Sequence, residues 1–115
     1  MLPDELTADI FQFREDRDWQ QFHSPRNLAM AISVEAAELL EPFRWASDAE
    51  ALAIASTRRS ELSDEIADLV ILLTYMAKDL HIDIPTAVAT KLKANAAKYP
   101  VDQFRGSSRK YTELP

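Results

Sequence analysis

Gly106 is the only glycine in a chain of 115 residues, and this scarcity limits the fold more than any other feature. Low glycine combined with abundant Ala, Leu, Glu and Lys favours helices over other regular structure. Phosphate-binding loops of the Walker type and dinucleotide-binding turns each need several glycines. Both classes of nucleotide site are therefore excluded.

Charge and cysteine content exclude further classes of protein. Thirteen basic and nineteen acidic residues give a net charge of −6, which excludes a generally basic binder of nucleic acid polymers but allows a nucleotide ligand. The chain has no cysteine, so disulfides, cysteine-ligated metals and thiol nucleophiles are absent. The acidic start MLPDELTADIFQF is unlike a signal peptide, and no run of eighteen apolar residues occurs. We expect a cytoplasmic protein without a membrane partner.

Proline positions and apolar spacing predict the helices. Ser24 and Pro25 are typical of a helix start, and the ring of Pro42 disfavours continuation of that helix. Four main helices are expected, at about 3–17, 25–41, 57–80 and 84–99, with a short helix within residues 46–56. The run VILLT at 70–74 could form a strand, but strong helix formers flank it. The prediction is an all-α, four-helix bundle in a single domain, residues 1–115.

Four carboxylates stand out because they share the apolar side of two predicted helices. Glu35 and Glu38 lie three residues apart, as do Glu65 and Asp68, so each pair converges on one side of its helix. Two carboxylates about 5 Å apart repel by roughly 3 kcal/mol at an effective dielectric constant near 20. Oxygen ligands in this number, without cysteine or a nearby histidine, suit Mg²⁺ or Mn²⁺ better than Zn²⁺.

Other readings of these acids stay open. They could be solvated helix acids paired with Arg26, Arg58 or Arg59. Glu61 and Asp64 form a second pair of the same spacing one turn earlier, so the register could differ. A ferritin-like di-iron site is disfavoured because it requires Glu-x-x-His pairs, which these helices lack.

The pairs Glu35-Ala-Ala-Glu38 and Glu65-Ile-Ala-Asp68 resemble the signature of MazG-type nucleotide pyrophosphohydrolases. The segments 17–28 (RDWQQFHSPRNL), 43–45 (FRW), 98–100 (KYP) and 108–113 (SRKYTE) are similar to the dCTP pyrophosphatase branch of that family. The resemblance covers nearly the whole chain.

This resemblance implies Mg²⁺-dependent cleavage of a deoxynucleoside triphosphate, with a dCTP-like preference, to the monophosphate and pyrophosphate. It implies that Glu35, Glu38, Glu65 and Asp68 bind the metal and that Glu35 or Glu38 acts on the attacking water. It also implies a homo-oligomer, either a dimer or a tetramer, in which dimerisation completes the site. The implied substrate-binding residues are Trp19, Gln20, Gln21, Phe22, His23, Trp45, Leu72, Lys91, Asn95 and Lys98.

Two departures from the family pattern leave the preferred base open. Leu72 stands where relatives carry tyrosine, and Ile10 stands where they carry a polar residue. Residues 91–115 carry a net charge of +4 against −10 for residues 1–90, so the tail could meet a polyanion or simply be solvated. The alternatives are a phosphoribosyl-ATP pyrophosphatase-like enzyme and a non-catalytic helical interaction module.

Overall fold

A computed structural model describes residues 1–113, and every regular element in that range is a helix. Six α-helices follow one another: α1 Asp4–Asp16, α2 Pro25–Leu40, α3 Asp48–Thr57, α4 Arg59–Asp79, α5 Ile84–Lys98 and α6 Val101–Phe104. The all-α prediction is confirmed, whereas the expected set of main helices gains α6, which begins directly after Pro100. In the described range, no helix is both long and apolar enough to cross a membrane.

Local capping groups set where the helices begin. Ser24, Ser47 and Asp83 each accept a hydrogen bond from the backbone N–H three residues ahead, at 3.1, 3.2 and 3.1 Å. These bonds satisfy N–H groups that have no partner within the helix. Helix α2 ends at Leu40, and a single 3₁₀ turn over Glu41–Phe43 follows because Pro42 has no N–H to continue the α-helix.

Residues 1–81 form a compact unit that contains α1 to α4. Helix α2 packs along α4 more extensively than any other pair of helices in this unit, and α1 and α3 also contact α4. The buried core is small and joins three helices, with Ile10 from α1, Leu28 from α2 and Tyr75 from α4. Since α2 and α4 lie side by side, acids on their facing sides are brought close together.

Helix α1 is attached to α4 by polar as well as apolar contacts. The Tyr75 hydroxyl donates a hydrogen bond to the backbone carbonyl of Ile10 at 2.8 Å, and the Phe11 ring meets the Tyr75 ring edge-on at 5.2 Å. One turn further on, Arg14 forms a bidentate ion pair with Asp79, with N–O distances of 2.8 and 2.9 Å. These contacts fix the rotation of α1 and therefore decide which of its side chains face α2 and α4.

Residues 82–113 belong to a second compact unit that contains α5 and α6. Three aromatic rings pack together in this unit: the Tyr99 ring lies edge-on against Phe104 at 4.8 Å and against Tyr111 at 5.8 Å. Gly106 follows α6 with φ +73°, a backbone conformation in which a side chain is strained. The single glycine is therefore used where the backbone requires it.

Leu28→Ala should destabilise the protein by about 3 kcal/mol, because Leu28 is 1% exposed and its removal leaves a cavity in a core that has few members. The control is Leu52→Ala on α3, where the side chain is 78% exposed and the cost should stay below about 1 kcal/mol. Urea unfolding followed by circular dichroism measures both changes. Equal losses in the two variants would contradict this assignment of the core.

Candidate active site

Three carboxylates from α2 and α4 converge on one point. Carboxylate oxygens of Glu35, Glu38 and Glu65 all lie within 4.8 Å of one another. The helical spacing of three residues turns Glu35 and Glu38 to the same side of α2, and the packing of α2 along α4 brings Glu65 against them. Asp68 follows Glu65 by one turn and lines the same cleft as Glu35. We call Glu35, Glu38, Glu65 and Asp68 the acidic cluster.

The cluster is only partly open to water. Glu35 and Glu65 are half-buried, whereas Glu38 and Asp68 are exposed in the single chain. The Oε2 atoms of Glu35 and Glu65 are buried and have no hydrogen-bond partner within residues 1–113. A buried carboxylate oxygen without a partner is unfavourable, so these two atoms indicate that the cluster requires a proton or a cation.

Neighbouring carboxylates control the protonation of Glu35. Proton sharing with the adjacent Glu65 carboxyl group is the main cause that raises the pKa of Glu35 to about 7, followed by burial and by the negative charges of Glu38 and Asp68. Near neutral pH, the cluster therefore retains a proton that an isolated glutamate would lose. A bound cation would supply the same compensation without that proton.

Arginines do not neutralise the cluster. Arg58 binds Glu61 through two guanidinium nitrogens, and Arg44 lies 3.9 Å from Glu41. In residues 1–113, no member of the cluster takes part in an ion pair. Glu61 is therefore already paired with arginine. The register alternative, in which Glu61 and Asp64 replace the second pair, has less support than Glu65 and Asp68.

The donor set of the cluster is compatible with a divalent cation. All the candidate ligand atoms are carboxylate oxygens, which are the donors that hard cations such as Mg²⁺, Mn²⁺ and Ca²⁺ prefer. Two of these residues each carry a buried oxygen without a partner. The residues present therefore fit a cation.

A cleft of about 490 Å³ extends from the acids along α1 and α4. It is lined by carboxylates, aromatic rings and aliphatic side chains: Asp9, Ile10, Phe13, Trp19, His23, Glu35, Asp68, Ile71, Leu72 and Tyr75. Trp19 packs edge-on against Phe13, with ring centroids 5.6 Å apart, and 44% of its surface remains exposed. The cleft therefore combines an acidic side with aromatic surfaces.

Several residues expected at the substrate site lie outside the lining of this cleft. Gln20, Gln21 and Phe22 form an exposed 3₁₀ turn between Trp19 and His23. Trp45 follows the 3₁₀ turn after α2 and is 85% exposed, with Arg44 stacked 4.8 Å from its ring.

The three residues expected near the phosphates lie on α5, at a spacing that places them on one face of that helix. Asn95 is half-buried, and Lys91 and Lys98 are exposed. Lys98 lies 5.0 Å from the centre of the Tyr111 ring. Their structural unit is the one that begins at Ile82.

The sequence analysis did not predict four residues of the cleft, namely Asp9, Phe13, Ile71 and Tyr75. Asp9 and Phe13 lie four residues apart on α1, which is the spacing of neighbours on one helix face. Helical periodicity could therefore have grouped these two residues with Ile10. It could not have shown that this face of α1 borders the acids.

An all-α chain with a paired-acid cluster beside an aromatic cleft defines a recognisable class of protein. Residues 30–114 match the MazG-like family, and the chain belongs to that family. The resemblance seen in the acidic pairs and their flanking segments is thereby confirmed.

Individual relatives agree with this membership. The chain is 45% identical to dCTP pyrophosphatase 1 of Rattus norvegicus and 42% identical to dCTP pyrophosphatase 1 of Homo sapiens; each match covers 90% of this chain and 62% of the relative. The chain thus spans less than two thirds of those proteins. A pyrophosphatase from Archaeoglobus fulgidus has a similar structure, with a TM-score of 0.82 and 40% identity over 84% of this chain and 91% of that one.

In metal-free protein, stability should fall as the pH rises from about 4.5 through about 7. The folded pKa of Glu35 is raised, so the folded state binds more protons than the unfolded state in this range and loses that advantage as Glu35 ionises. Thermal unfolding in chelator between pH 5 and 8 measures the effect.

Glu35→Gln should flatten this dependence, whereas Glu61→Gln should keep it, because Arg58 lowers the pKa of Glu61 and moves its titration below the range. His23, whose pKa is lowered chiefly by burial, acts in the opposite direction below pH 6.5 in all three proteins. An identical pH profile for wild type and Glu35→Gln would refute the shared proton.

Proposed function

We propose that this chain hydrolyses deoxynucleoside triphosphates, dCTP in preference to the others, to the monophosphate and pyrophosphate. The proposed role is housekeeping of cytoplasmic nucleotide pools. The observation that carries the proposal is the continuity of one cleft, whose lining includes Glu35 and Asp68 together with Trp19 and Phe13. Such a cleft offers a cation site for phosphates and aromatic surface for a base. The names of the rat and human relatives support the same activity.

We infer that Mg²⁺ is the cofactor, with Mn²⁺ as a substitute, and that the acidic cluster supplies the ligands. A triphosphate carries about four negative charges, so carboxylates and phosphates can share one site only with cations between them. Bound Mg²⁺ would reduce the charge on the phosphates and lower the pKa of a coordinated water. Mg²⁺ binds six oxygen ligands. The carboxylates of the acidic cluster would occupy some of these positions and leave the others for water and phosphate.

Glu35 or Glu38 is proposed to accept the proton of the attacking water. Both belong to the group of oxygens that lie within 4.8 Å of one another, so a water held there can contact either side chain. Glu38 is the more exposed of the two, whereas Glu35 holds a proton near neutral pH in the absence of a cation. No serine, cysteine or histidine nucleophile is required.

The aromatic part of the cleft is proposed to hold the nucleoside. The exposed face of Trp19 can stack on a base, which is worth about 1–3 kcal/mol in other nucleotide binders. His23 supplies a polar ring to the lining, and Ile10 and Leu72 make the adjoining wall apolar. The neighbouring turn, with Gln20, Gln21 and Phe22, is proposed to contact the outer edge of the nucleoside.

Three polar side chains of α5 are proposed to bind the phosphates. Lys91, Asn95 and Lys98 are spaced by four and three residues, which places them on one face of α5. Two ammonium groups and an amide can all donate hydrogen bonds to phosphate oxygens. These residues would steady the β and γ phosphates as they leave.

We propose that the protein is a homo-oligomer, a dimer or a tetramer, whose site is completed by a second copy. Large apolar side chains are exposed on the helices that carry the acids: Met30 and Val34 on α2, and Ile66 on α4, are each more than half exposed. Trp45, which follows α2, is exposed as well, so one chain leaves much apolar surface uncovered. A second copy would cover it and bring Trp45 toward the neighbouring cleft.

A panel of dNTPs and NTPs with Mg²⁺ should give monophosphate and pyrophosphate, fastest with dCTP. Glu38→Gln should lower kcat at least about a hundredfold, because it removes both a charged ligand and a candidate base. The control Glu61→Gln makes the same change on α4 at an acid that Arg58 already binds, and its rate should stay within about twofold. An active, folded Glu38→Gln protein would exclude the acidic cluster as the reaction centre.

Trp19→Ala and Trp45→Ala should each raise KM for the best nucleotide about tenfold with little change in kcat, as expected when a stacking partner is lost. The control is Leu52→Ala, an exposed apolar side chain on α3. An effect of Trp19→Ala alone would contradict completion of the site by a second copy. If neither tryptophan affects KM, the aromatic part of the cleft is not the base site.

A further inference from the structure

We propose that Arg14, held by Asp79, is a positioning residue that fixes His23 as a neutral imidazole with its proton on Nε2. In this form, His23 donates a hydrogen bond to a carbonyl oxygen of the bound base. The inference rests on the proposed function, because it assigns the base to the aromatic part of the cleft. It adds a hydrogen-bond donor that favours bases carrying a carbonyl group.

The guanidinium group of Arg14 is confined on every side. Arg14 is 3% exposed, and its two terminal nitrogens bind the two oxygens of Asp79 at 2.8 and 2.9 Å. The rings of Phe11 and Tyr75 lie 4.9 and 4.6 Å from its central carbon. A bidentate pair between two rings permits one orientation of the guanidinium plane.

The same guanidinium meets one nitrogen of His23. Nη1 of Arg14 lies 3.5 Å from Nδ1 of the imidazole. Arginine can only donate, so a hydrogen bond between these atoms requires Nδ1 to present its lone pair and places the proton of the neutral ring on Nε2. An imidazolium, with protons on both nitrogens, would place an N–H against the arginine.

Two further contacts position His23. Its ring lies against Tyr75, with centroids 5.3 Å apart and an angle of 38° between the planes. The backbone N–H of His23 donates to the carbonyl of Gln20 at 3.0 Å, which anchors the residue at the end of its 3₁₀ turn. The ring therefore has a fixed place in the lining of the cleft.

The charged groups around His23 favour its neutral form. Burial is the largest cause that lowers the pKa of His23, and the positive charge of Arg14 lowers it further, whereas the negative charge of Asp79 raises it. Arg14 faces the ring from α1, and Asp79 and Tyr75 face it from α4. Tyr75 keeps its own proton, since burial raises its pKa and its hydroxyl donates to Ile10.

A neutral Nε2–H donor in an aromatic surrounding suits an acceptor oxygen on the base. Cytosine, thymine, uracil and guanine carry an exocyclic carbonyl, and adenine does not. A fixed donor that a bound base shields from water discriminates against a ligand that leaves this donor without a partner. The pair of Arg14 and Asp79 thereby acts on base choice without touching the nucleotide.

The test begins with the tautomer of His23 in the full-length protein at pH 7.5, measured by long-range ¹H–¹⁵N NMR with and without Mg²⁺. A neutral ring protonated on Nε2 is expected in both conditions. An Nδ1–H tautomer or an imidazolium overturns the proposal, and this measurement requires neither a variant nor a nucleotide.

Arg14→Met/Asp79→Leu removes both charges together, so no buried charge is left alone. This variant should show mixed tautomers, raise KM for dCTP about tenfold with kcat within about twofold, and leave KM for dATP unchanged. The control Arg58→Met breaks an arginine–glutamate pair outside the cleft and should change none of these values. An unchanged ratio of dCTP to dATP in the folded variant overturns the proposal.

His23→Gln supplies an amide donor that does not depend on Arg14. In this background, Arg14→Met/Asp79→Leu should change KM for dCTP less than about twofold, since coupled residues give non-additive effects. Full additivity would show that Arg14 acts elsewhere. If the wild type hydrolyses no nucleoside triphosphate, the proposed function fails, while the tautomer measurement still decides the positioning of His23.

Discussion

The mutual repulsion of carboxylates on α2 and α4 is the constraint around which the first unit is organised. Two carboxylates about 5 Å apart repel by about 3 kcal/mol at an effective dielectric constant near 20. Oxygens of Glu35, Glu38 and Glu65 lie within 4.8 Å of one another. Helices α2 and α4 cannot separate to relieve this repulsion without exposing Leu28 and Tyr75. The fold therefore holds the acids in a state that a shared proton relieves in part and a divalent cation relieves more fully.

Charged groups on one side of the cleft are paired with each other, whereas those on the other side have no oppositely charged partner. Arg14 and Asp79 satisfy each other completely, and the result is a rigid wall that carries aromatic rings and His23. The acidic cluster has no such partner in the described part of the chain, and its buried oxygens stay available for an external ligand. The paired charges stabilise the wall of the cleft, whereas the unpaired carboxylates can bind a ligand.

Local signals predicted the helices well, because capping groups and prolines act within a few residues. Ser24 with Pro25, for example, marks the observed start of α2. The convergence of Glu35 with Glu38 also follows from helical spacing alone.

Contacts between distant segments had no such signal. Arg14 and Asp79 are 65 residues apart, and nothing near either residue indicates its partner. The bend after α2 followed from Pro42, but the outward placement of Trp45 depends on packing that periodicity does not encode. The match to the MazG-like family begins at residue 30, after the segment that supplies Asp9, Phe13, Trp19 and His23 to the cleft. The family-wide pattern therefore includes the acids of α2 and α4, whereas these four lining residues precede it and are held in place by the attachment of α1 to α4.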